Sequence, residues 1–241
     1  PATAASELRA RLAEAVRMRL VADVPLGAFL SGGVDSSAVA ACMAQSRAEP
    51  ITTCAIRFGE ADYDESRYAA MVAERYGTRH HTRTVDPDDF DLLATLPTVY
   101  DEPFADSSAL PTFRLCEAAR AHVKVALSGD GGDEVFAGYR RYRWHHYEEL
   151  VRGRVPGSLR RPLFGMLGAA YPKLDWAPKP LRAKTTLQAI ARDTADGYFR
   201  SICVVPDDLR EALYTPGFKQ ELQGYRARDL LAGHMAAAPT D

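Results

Sequence analysis

The sequence predicts an α/β protein whose parallel sheet carries helices on both faces, followed by a mainly helical region. Short apolar runs alternate with amphipathic segments of helical period along the first half of the chain. The run at residues 24–30 lacks apolar–polar alternation, which is typical of a parallel strand buried on both faces, and two of the predicted strands lead into glycine-rich turns. We expect a sheet domain over residues 1–145 and a truncated helical continuation of the same domain over residues 146–241.

The first strand is predicted between two helices. Residues 6–20 place Leu8, Leu12 and Val16 on one helical face, and Ser6 is a candidate N-cap. The apolar run at residues 24–30 is short and ends in glycines, which favours a buried strand. Residues 36–45 then form a helix that packs its apolar side on the sheet.

The same alternation continues to residue 127. One helix in this stretch presents Tyr68, Met71, Val72 and Tyr76 on one face, and Gly77 follows as a C-terminal stop. The predicted strands are Ile51–Phe58, Arg79–Val85 and Val123–Leu127. The predicted helices are Glu65–Tyr76, one opened by Asp86 and Pro87 that takes in the acidic cluster up to Asp91, and one from Ser107 or Ser108 to about Ala121.

After about Tyr142 the alternation stops, and the sequence becomes rich in arginine, leucine, alanine and tyrosine. This composition predicts helices, and prolines are expected to break them because proline removes a backbone donor. The expected breaks are at Pro156, Pro162, Pro172, Pro178 and Pro180.

Composition excludes several classes of protein. The 241 residues carry a formal net charge of −2, which gives no general attraction to nucleic acid or to an anionic membrane. No apolar run approaches the roughly 20 residues that span a bilayer. The four cysteines form no Cys-x-x-Cys pair, which argues against a zinc site or disulfide framework and favours a cytoplasmic location.

The first glycine-rich turn, residues 31–37, has the chemistry of an anion site. Gly32 and Gly33 let the backbone approach a ligand closely, and the amides at the start of the next helix point towards it. Asp35 fits such a site if Mg²⁺ bridges its carboxylate and a phosphate. The Gly-Lys-Ser/Thr ending of a Walker A loop is missing. A plain serine-capped strand-to-helix turn is the alternative.

The second turn, residues 128–139, combines several glycines with the acids Asp130, Asp133 and Glu134. Crowded carboxylates repel one another unless a cation lies between them. Because parallel strands end at one edge of a sheet, both turns are expected at that edge, where Asp35 and Asp133 could share Mg²⁺. The alternative is a polar turn with Glu134 at a helix start.

These motifs resemble two nested families. The first turn is similar to the PP-loop of ATP pyrophosphatases, which cleave ATP between the α and β phosphates. The second turn, residues 101–112 and residues 64–66 resemble glutamine-hydrolysing asparagine synthetase, in the expected order and over most of residues 5–145.

The resemblance implies a PP-loop synthetase domain, of the adenine nucleotide alpha hydrolase-like fold, in residues 1–145. ATP and aspartate would give β-aspartyl-AMP and pyrophosphate, and ammonia would then displace AMP. Asp35 and Asp133 would hold Mg²⁺, and Asp130 stands where the family commonly has glutamate, at a site tied to forming the intermediate. The remaining implied contacts are Ser31, Gly32, Gly33, Ser36 and Ser37 with pyrophosphate, and Leu30, Ile56, Ser128 and Gly129 with the nucleotide.

The resemblance also identifies what the chain lacks. Family members begin with a glutaminase domain that releases ammonia, and they continue into a region whose lysine assists amide formation; neither part is present in this sequence. We expect that ammonia would come from such a domain and that a homodimer is an option. Candidate substrate contacts are Asp106, Ser107, Thr112 and Arg114.

Four other functions stay open. The enzyme could amidate another carboxylate in a polysaccharide-related pathway, and nothing in the residues selects aspartate directly. A tRNA-modifying PP-loop enzyme would usually need a cysteine pair, which is missing. A non-catalytic nucleotide-binding domain would be favoured by loss of Asp35 or Asp133, and both are present. The basic, aromatic stretch at residues 139–161 could bind RNA, although a solvated helix is the stronger interpretation.

Overall fold

The computed structural model describes residues 2–59, 64–85, 90–102, 104, 106–173, 176, 178 and 182–238. The chain divides into two compact units, residues 1–136 and residues 137–241. Each unit is described by itself below.

The first unit contains a four-stranded parallel sheet in the order β3-β2-β1-β4. The strands are β1 Leu26–Phe29, β2 Thr52–Phe58, β3 Arg79–Val85 and β4 Val125–Leu127. Each strand is at or within the range predicted from the apolar runs, and every pairing is parallel. The predicted fold class is therefore confirmed.

Helices follow the strands of the first unit in the expected alternation. They are α1 Ala2–Arg19, α2 Val34–Gln45, α3 Ser66–Tyr76, α4 Leu96–Val99, α5 Ala109–Arg120 and α6 Gly132–Val135, with a 3₁₀ helix at Phe90–Ala94. Gly77 ends α3 in the left-handed conformation with φ of 61°, as its position after Tyr76 predicts. Asp86 and Pro87, where the sequence predicts the start of a helix, lie outside the described residues.

Two apolar cores lie on the two faces of the sheet. On one face, Leu26, Ala28 and Leu30 pack with residues of α1, α2 and α3. On the other face, Cys54 packs with Ala119 and Val123 at the end of α5 and beyond it. Because side chains alternate along a strand, neighbouring residues of β1 and β2 supply both cores. This explains why the sequence of β1 is a continuous apolar run.

Two local predictions about the helices are wrong. Helix α1 begins at Ala2, so Ser6 lies within it instead of capping it. Helix α3 does not bury Tyr68 and Met71, which are 59% and 58% exposed. It buries Ala69 and Ala73 instead, because small side chains let this helix approach its neighbours closely.

All the regular elements in the described residues of the second unit are helices, as predicted. Its helices are α7 Arg140–Arg154, α8 Gly157–Ala170, α9 Lys184–Ala191, α10 Thr194–Ile202, α11 Asp207–Leu213, α12 Pro216–Glu221 and α13 Ala227–Ala237. Pro156 precedes α8 as its N-cap, but Pro162 lies inside α8 and does not break it. Packing between α8 and α9, with Gln188 close over Gly168, offsets the one backbone hydrogen bond that Pro162 removes. Pro180 lies outside the described residues.

Among the described residues, every helix is too short or too polar to cross a bilayer.

Candidate functional site

The two glycine-rich turns leave the sheet side by side. Strand β1 ends at Phe29 and leads into the first turn, and β4 ends at Leu127 and leads into the second. These two strands are paired in parallel, with Ala28 opposite Leu127. Both turns therefore lie at the carboxyl edge of the sheet, as the sequence predicts, where open α/β sheets bind their ligands.

The second turn packs directly on the first. A Cβ atom added at Gly129 would lie 2.8 Å from the carbonyl carbon of Asp35 and 2.9 Å from Cα of Ser36. A Cβ atom added at Gly132 would lie 2.5 Å from Cγ of Asp35. Real Cβ atoms do not approach this closely, so a side chain at Gly129 would force the backbone of the first turn to move, and one at Gly132 would displace the Asp35 carboxylate.

Hydrogen bonds from Ser36 shape the first turn. The Ser36 hydroxyl donates to the Gly33 carbonyl oxygen at 3.3 Å and lies 3.0 Å from Oγ of Ser31. It also accepts from the Ser31 amide at 3.3 Å, while Oγ of Ser31 accepts from the Gly33 amide at 3.2 Å. Ser36 is buried, so its hydroxyl stabilises the turn by hydrogen bonds that are shielded from water.

The amino end of α2 has the features of an anion site. Its N-cap residue is Gly33, in an extended conformation, and no side chain caps the helix there. The first amides of an α-helix have no partner within the helix and attract negative charge. Oγ of Ser37 is buried without a hydrogen-bond partner. A buried hydroxyl of this kind is a ready donor for an oxyanion.

The acids of the two turns occupy different environments. Asp35 and Asp133 are both partly buried, and Asp133 lies in the first turn of α6, next to the Gly132 that touches Asp35. Asp130 is exposed, and no described hydrogen bond joins it to the first turn. Within the described ranges, no three or more histidine, cysteine or acidic residues form a cluster that could hold a metal. Any cation here would need oxygen ligands beyond these two carboxylates.

The other predicted nucleotide contacts lie near the same edge. Leu30 follows β1, is 1% exposed, and donates its amide to the Cys54 carbonyl oxygen at 3.0 Å. Ile56 is partly buried in β2, two residues before the strand ends. Ser128 directly follows β4 and is exposed. Gly32 has φ of 85°, a conformation that favours glycine.

In two further motifs, residues 64–66 and 101–112, an aspartate carboxylate accepts a hydrogen bond from a backbone amide at the start of a helix. Asp64 accepts from the Ser66 amide at 3.0 Å, and Asp106 accepts from the Ser108 amide at 2.8 Å. These hydrogen bonds hold the pKa of each carboxyl below its ordinary value. Ser108 is the N-cap residue of α5, but its side chain makes no capping hydrogen bond. The carboxylate of Asp106 accepts from the Ser108 amide instead. Pro103 and Ala105 of the same motif lie outside the described residues.

Among the proposed substrate contacts, Arg114 donates to Glu117 at 2.9 Å. In the basic stretch after residue 139, the Arg141 guanidinium lies 3.7 Å from the centroid of the Tyr139 ring, and Tyr142 stacks on Tyr198. Part of that stretch is therefore used for packing within the second unit.

Sequence reasoning missed two close approaches. Gly132 was not singled out, although its missing side chain leaves room for the Asp35 carboxylate. Gly32 packs against α3, since an added Cβ would lie 2.6 Å from the Ala69 amide nitrogen. The run of glycines was visible in the sequence, but only the fold shows what each of them faces.

Together, the fold and these turns define a parallel α/β protein whose two glycine-rich turns pack on each other at the carboxyl edge of the sheet. The family model of asparagine synthase matches residues 7–233. The chain therefore belongs to the asparagine synthase family, which implies the use of ATP.

Curated relatives agree with the family. A putative glutamine-hydrolysing asparagine synthetase 2 of Methanocaldococcus jannaschii is 42% identical over 151 residues, which are 62% of this chain and 29% of that protein. A putative glutamine-hydrolysing asparagine synthetase of Mycobacterium tuberculosis strain H37Rv is 36% identical over 221 residues, 89% of this chain and 32% of that protein. This chain thus spans about a third of the length of these relatives.

One solved structure, an NH3-dependent NAD synthetase from Campylobacter jejuni in complex with nitrate, matches 80% of this chain and 95% of that chain. The TM-score is 0.37 and the sequence identity is 10%, which is too low to assign a fold.

Proposed function

We propose that this chain forms the ATP-dependent part of an amide-forming ligase that adenylates a carboxylate, with aspartate as the substrate. The contact that carries the proposal is the packing of Gly129 and Gly132 on Asp35 and Ser36. It brings a helix start, a buried hydroxyl and two carboxylate-bearing turns to one edge of the sheet. Membership of the asparagine synthase family supports the same chemistry.

In the first half of the reaction, a substrate carboxylate oxygen attacks the α-phosphorus of ATP and the bond to the β-phosphate oxygen breaks. Negative charge accumulates on the departing pyrophosphate. The amides at the start of α2 and the hydroxyls of Ser31 and Ser37 would stabilise that charge. Ser36 would act mainly through the turn, because its hydroxyl is already bonded to Ser31 and Gly33.

Mg²⁺ is the cation that these residues fit. Asp35 and Asp133 would supply hard oxygen ligands of the kind that Mg²⁺ prefers. Bound there, Mg²⁺ would neutralise charge on the triphosphate. Gly132 leaves space beside the Asp35 carboxylate for the segment that carries Asp133.

In the second half, ammonia attacks the acyl carbon of the adenylate, AMP leaves, and the amide forms with loss of a proton. With aspartate the product is asparagine. We propose that a glutaminase domain supplies the ammonia, that the protein acts in the cytoplasm, and that a homodimer is an option. These proposals rest on the family resemblance.

The test is pyrophosphate release from Mg-ATP with ammonia as the nitrogen donor, against a panel of carboxylates led by aspartate. Asp35→Asn should abolish release, whereas Asp23→Asn is a matched control, since Asp23 is exposed before β1. Aspartate-dependent release that Asp35→Asn removes would support the proposal. Release that persists in Asp35→Asn, or ATP binding without release for every acid, would contradict it.

A second candidate function has the same amide-forming chemistry but a substrate carboxylate other than aspartate. A protein named amidase chyE from Penicillium rubens is 34% identical over 152 residues, 56% of this chain. This chain is therefore also similar to a protein that is not named as an asparagine synthetase. Release with a different carboxylate, including one from a polysaccharide-related pathway, would favour this candidate.

A further inference from the structure

A second cleft lies away from the glycine-rich turns. It has a volume of about 240 Å³ and lies between the face of β2 and β3 and the C-terminal half of α5. Cys54 lies at its floor, and His81, Arg83, Glu117 and His122 line its walls. A cleft of this size suits a small ligand, because sites for drug-sized molecules start at about 300 Å³.

The position of His122 separates this cleft from the candidate ATP site. His122 comes three residues before β4 begins, at the amino edge of the sheet, whereas the second turn follows the carboxyl end of the same strand. Strand β3 is also separated from β1 by β2. The cleft therefore shares no lining residue with the two turns.

The most distinctive feature of the cleft is a pair of stacked histidines. The rings of His81 and His122 are nearly parallel, at 11°, with centroids 3.6 Å apart. Two imidazolium rings at this distance would repel each other strongly, so the geometry disfavours a positive charge on both rings at once. Burial and the neighbouring His122 lower the pKa of His81, in agreement with this geometry.

The charged groups around the stack favour an anion. Glu117 accepts from Arg83 at 2.8 Å and from Arg114 at 2.9 Å, so one carboxylate is shared between two guanidinium groups. Burial raises the pKa of the Cys54 thiol, which keeps the floor uncharged. His80 lies on the other side of the strand, bonded to Thr53. No carboxylate other than Glu117 lines the cleft among the described residues.

We propose that this cleft binds a small tetrahedral oxyanion, free or as the phosphate group of a small molecule, and that binding is coupled to uptake of one proton by the stacked histidines. Arg83 supplies a permanent positive charge. The protonated ring of the His81–His122 stack supplies a second positive charge. An anion placed between them offsets the cost of protonating the stack. Affinity should therefore rise as pH falls through the range in which histidine titrates.

The test follows the histidine Cε1 resonances of the whole chain by NMR across a pH titration. Sulfate is the first probe because its charge stays constant over the range, and chloride at equal ionic strength is the reference. Sulfate should raise the midpoint of one histidine of the stack, equivalent to about three- to tenfold tighter binding to the protonated form. Methyl phosphate in a second arm tests whether an organic phosphate group also fits.

Variants distinguish sulfate binding in this cleft from a general effect of ionic strength and from sulfate binding at the candidate ATP site. Arg83→Gln should remove the sulfate effect, and Arg83→Lys should keep part of it, with thermal unfolding confirming that both variants fold. His146 and His234, in α7 and α13, serve as internal references and should not respond. The proposal is overturned if all histidines shift equally or if Arg83→Gln changes nothing. It is also overturned if sulfate leaves the titration midpoints of both His81 and His122 unchanged.

Discussion

Gly129 packs on the backbone of the first turn, and it gives the clearest prediction at the scale of one residue. Gly129→Ala would force a methyl group onto the backbone of Asp35 and Ser36, which cannot move without distorting the first turn. We expect loss of ATP binding and destabilisation by about 2 kcal/mol or more. Calorimetric ATP titration and chemical denaturation measure the two effects.

Gly59→Ala is the matched control, because an added methyl group there meets nothing within 4 Å. It should change stability by less than about 0.5 kcal/mol. ATP binding that survives in Gly129→Ala would show that the turns do not need this contact.

Ser36 and Ser37 are adjacent but should differ in role. Ser36→Ala removes hydroxyl bonds to Ser31 and Gly33, and we expect a loss of about 1 kcal/mol of stability. Ser37→Ala removes a buried hydroxyl that has no partner, so stability should stay constant or rise. The Ser37→Ala variant should still bind ATP about tenfold more weakly, because a hydrogen bond from the Ser37 hydroxyl to the charged pyrophosphate would be lost. Equal losses of stability in both variants would contradict this division.

At the scale of elements, two arginines hold the end of α9 in the second unit. Arg152 donates to the carbonyl oxygens of Ala189 and Arg192, at 2.7 Å and 3.2 Å, and pairs with the buried Glu148. Arg160, also buried, donates to the carbonyl oxygens of Ile190 and Arg192. Positive charge at a helix C-terminus is favourable, and here it also neutralises a buried carboxylate.

Arg152→Met should therefore destabilise the second unit by about 3 kcal/mol, because it leaves Glu148 buried without this partner. Arg154→Met, on an exposed position of the same helix, should cost less than about 0.5 kcal/mol. Urea denaturation followed by circular dichroism compares the two. Similar midpoints for both variants would show that the Arg152 network adds nothing to stability.

His80 links β3 to β2 through Nδ1, which lies 2.9 Å from the Thr53 hydroxyl. Burial first, and the neighbouring His81 second, lower the pKa of His80 below its ordinary value. The folded state therefore favours the neutral ring. Its stabilising effect should be complete above the ordinary histidine pKa of about 6.5 and decline as pH falls towards the lower folded value. His80→Gln should weaken this decline in denaturation measured across pH, whereas His146→Gln should not.

Helices and strands were predictable from the sequence where a residue pattern is compatible with only one structure. Strands β1 and β4 were found because short apolar runs lead into glycine-rich turns, and Gly77 was found because a helix end often needs a left-handed residue. The buried face of α3 was not predictable. Its aromatic residues form an apolar stripe, but the helix packs through Ala69 and Ala73 because the first turn approaches it too closely for larger side chains.

At the scale of the whole molecule, the position of the candidate site followed from topology. Parallel strands bring distant turns to one edge, so the sequence placed residues 31–37 and 128–139 together correctly. The sequence could not predict that Ser36 bonds within its own turn or that Gly132 faces Asp35. Those relations depend on distances of a few tenths of an ångström, which a residue pattern does not encode. The roles of the site residues in ATP binding stay predictions.

The central claim is that Asp35 and Asp133 act together in holding Mg-ATP. A double-mutant cycle tests it most directly: ATP binding is titrated against Mg²⁺ for the parent chain, Asp35→Asn, Asp133→Asn, the double variant and the Asp23→Asn control. We predict that each single variant loses Mg²⁺-dependent binding and that the double variant binds about as weakly as either one, because one shared cation is lost only once. Losses that add independently, or an Asp133→Asn variant that binds Mg-ATP like the parent, would contradict the claim.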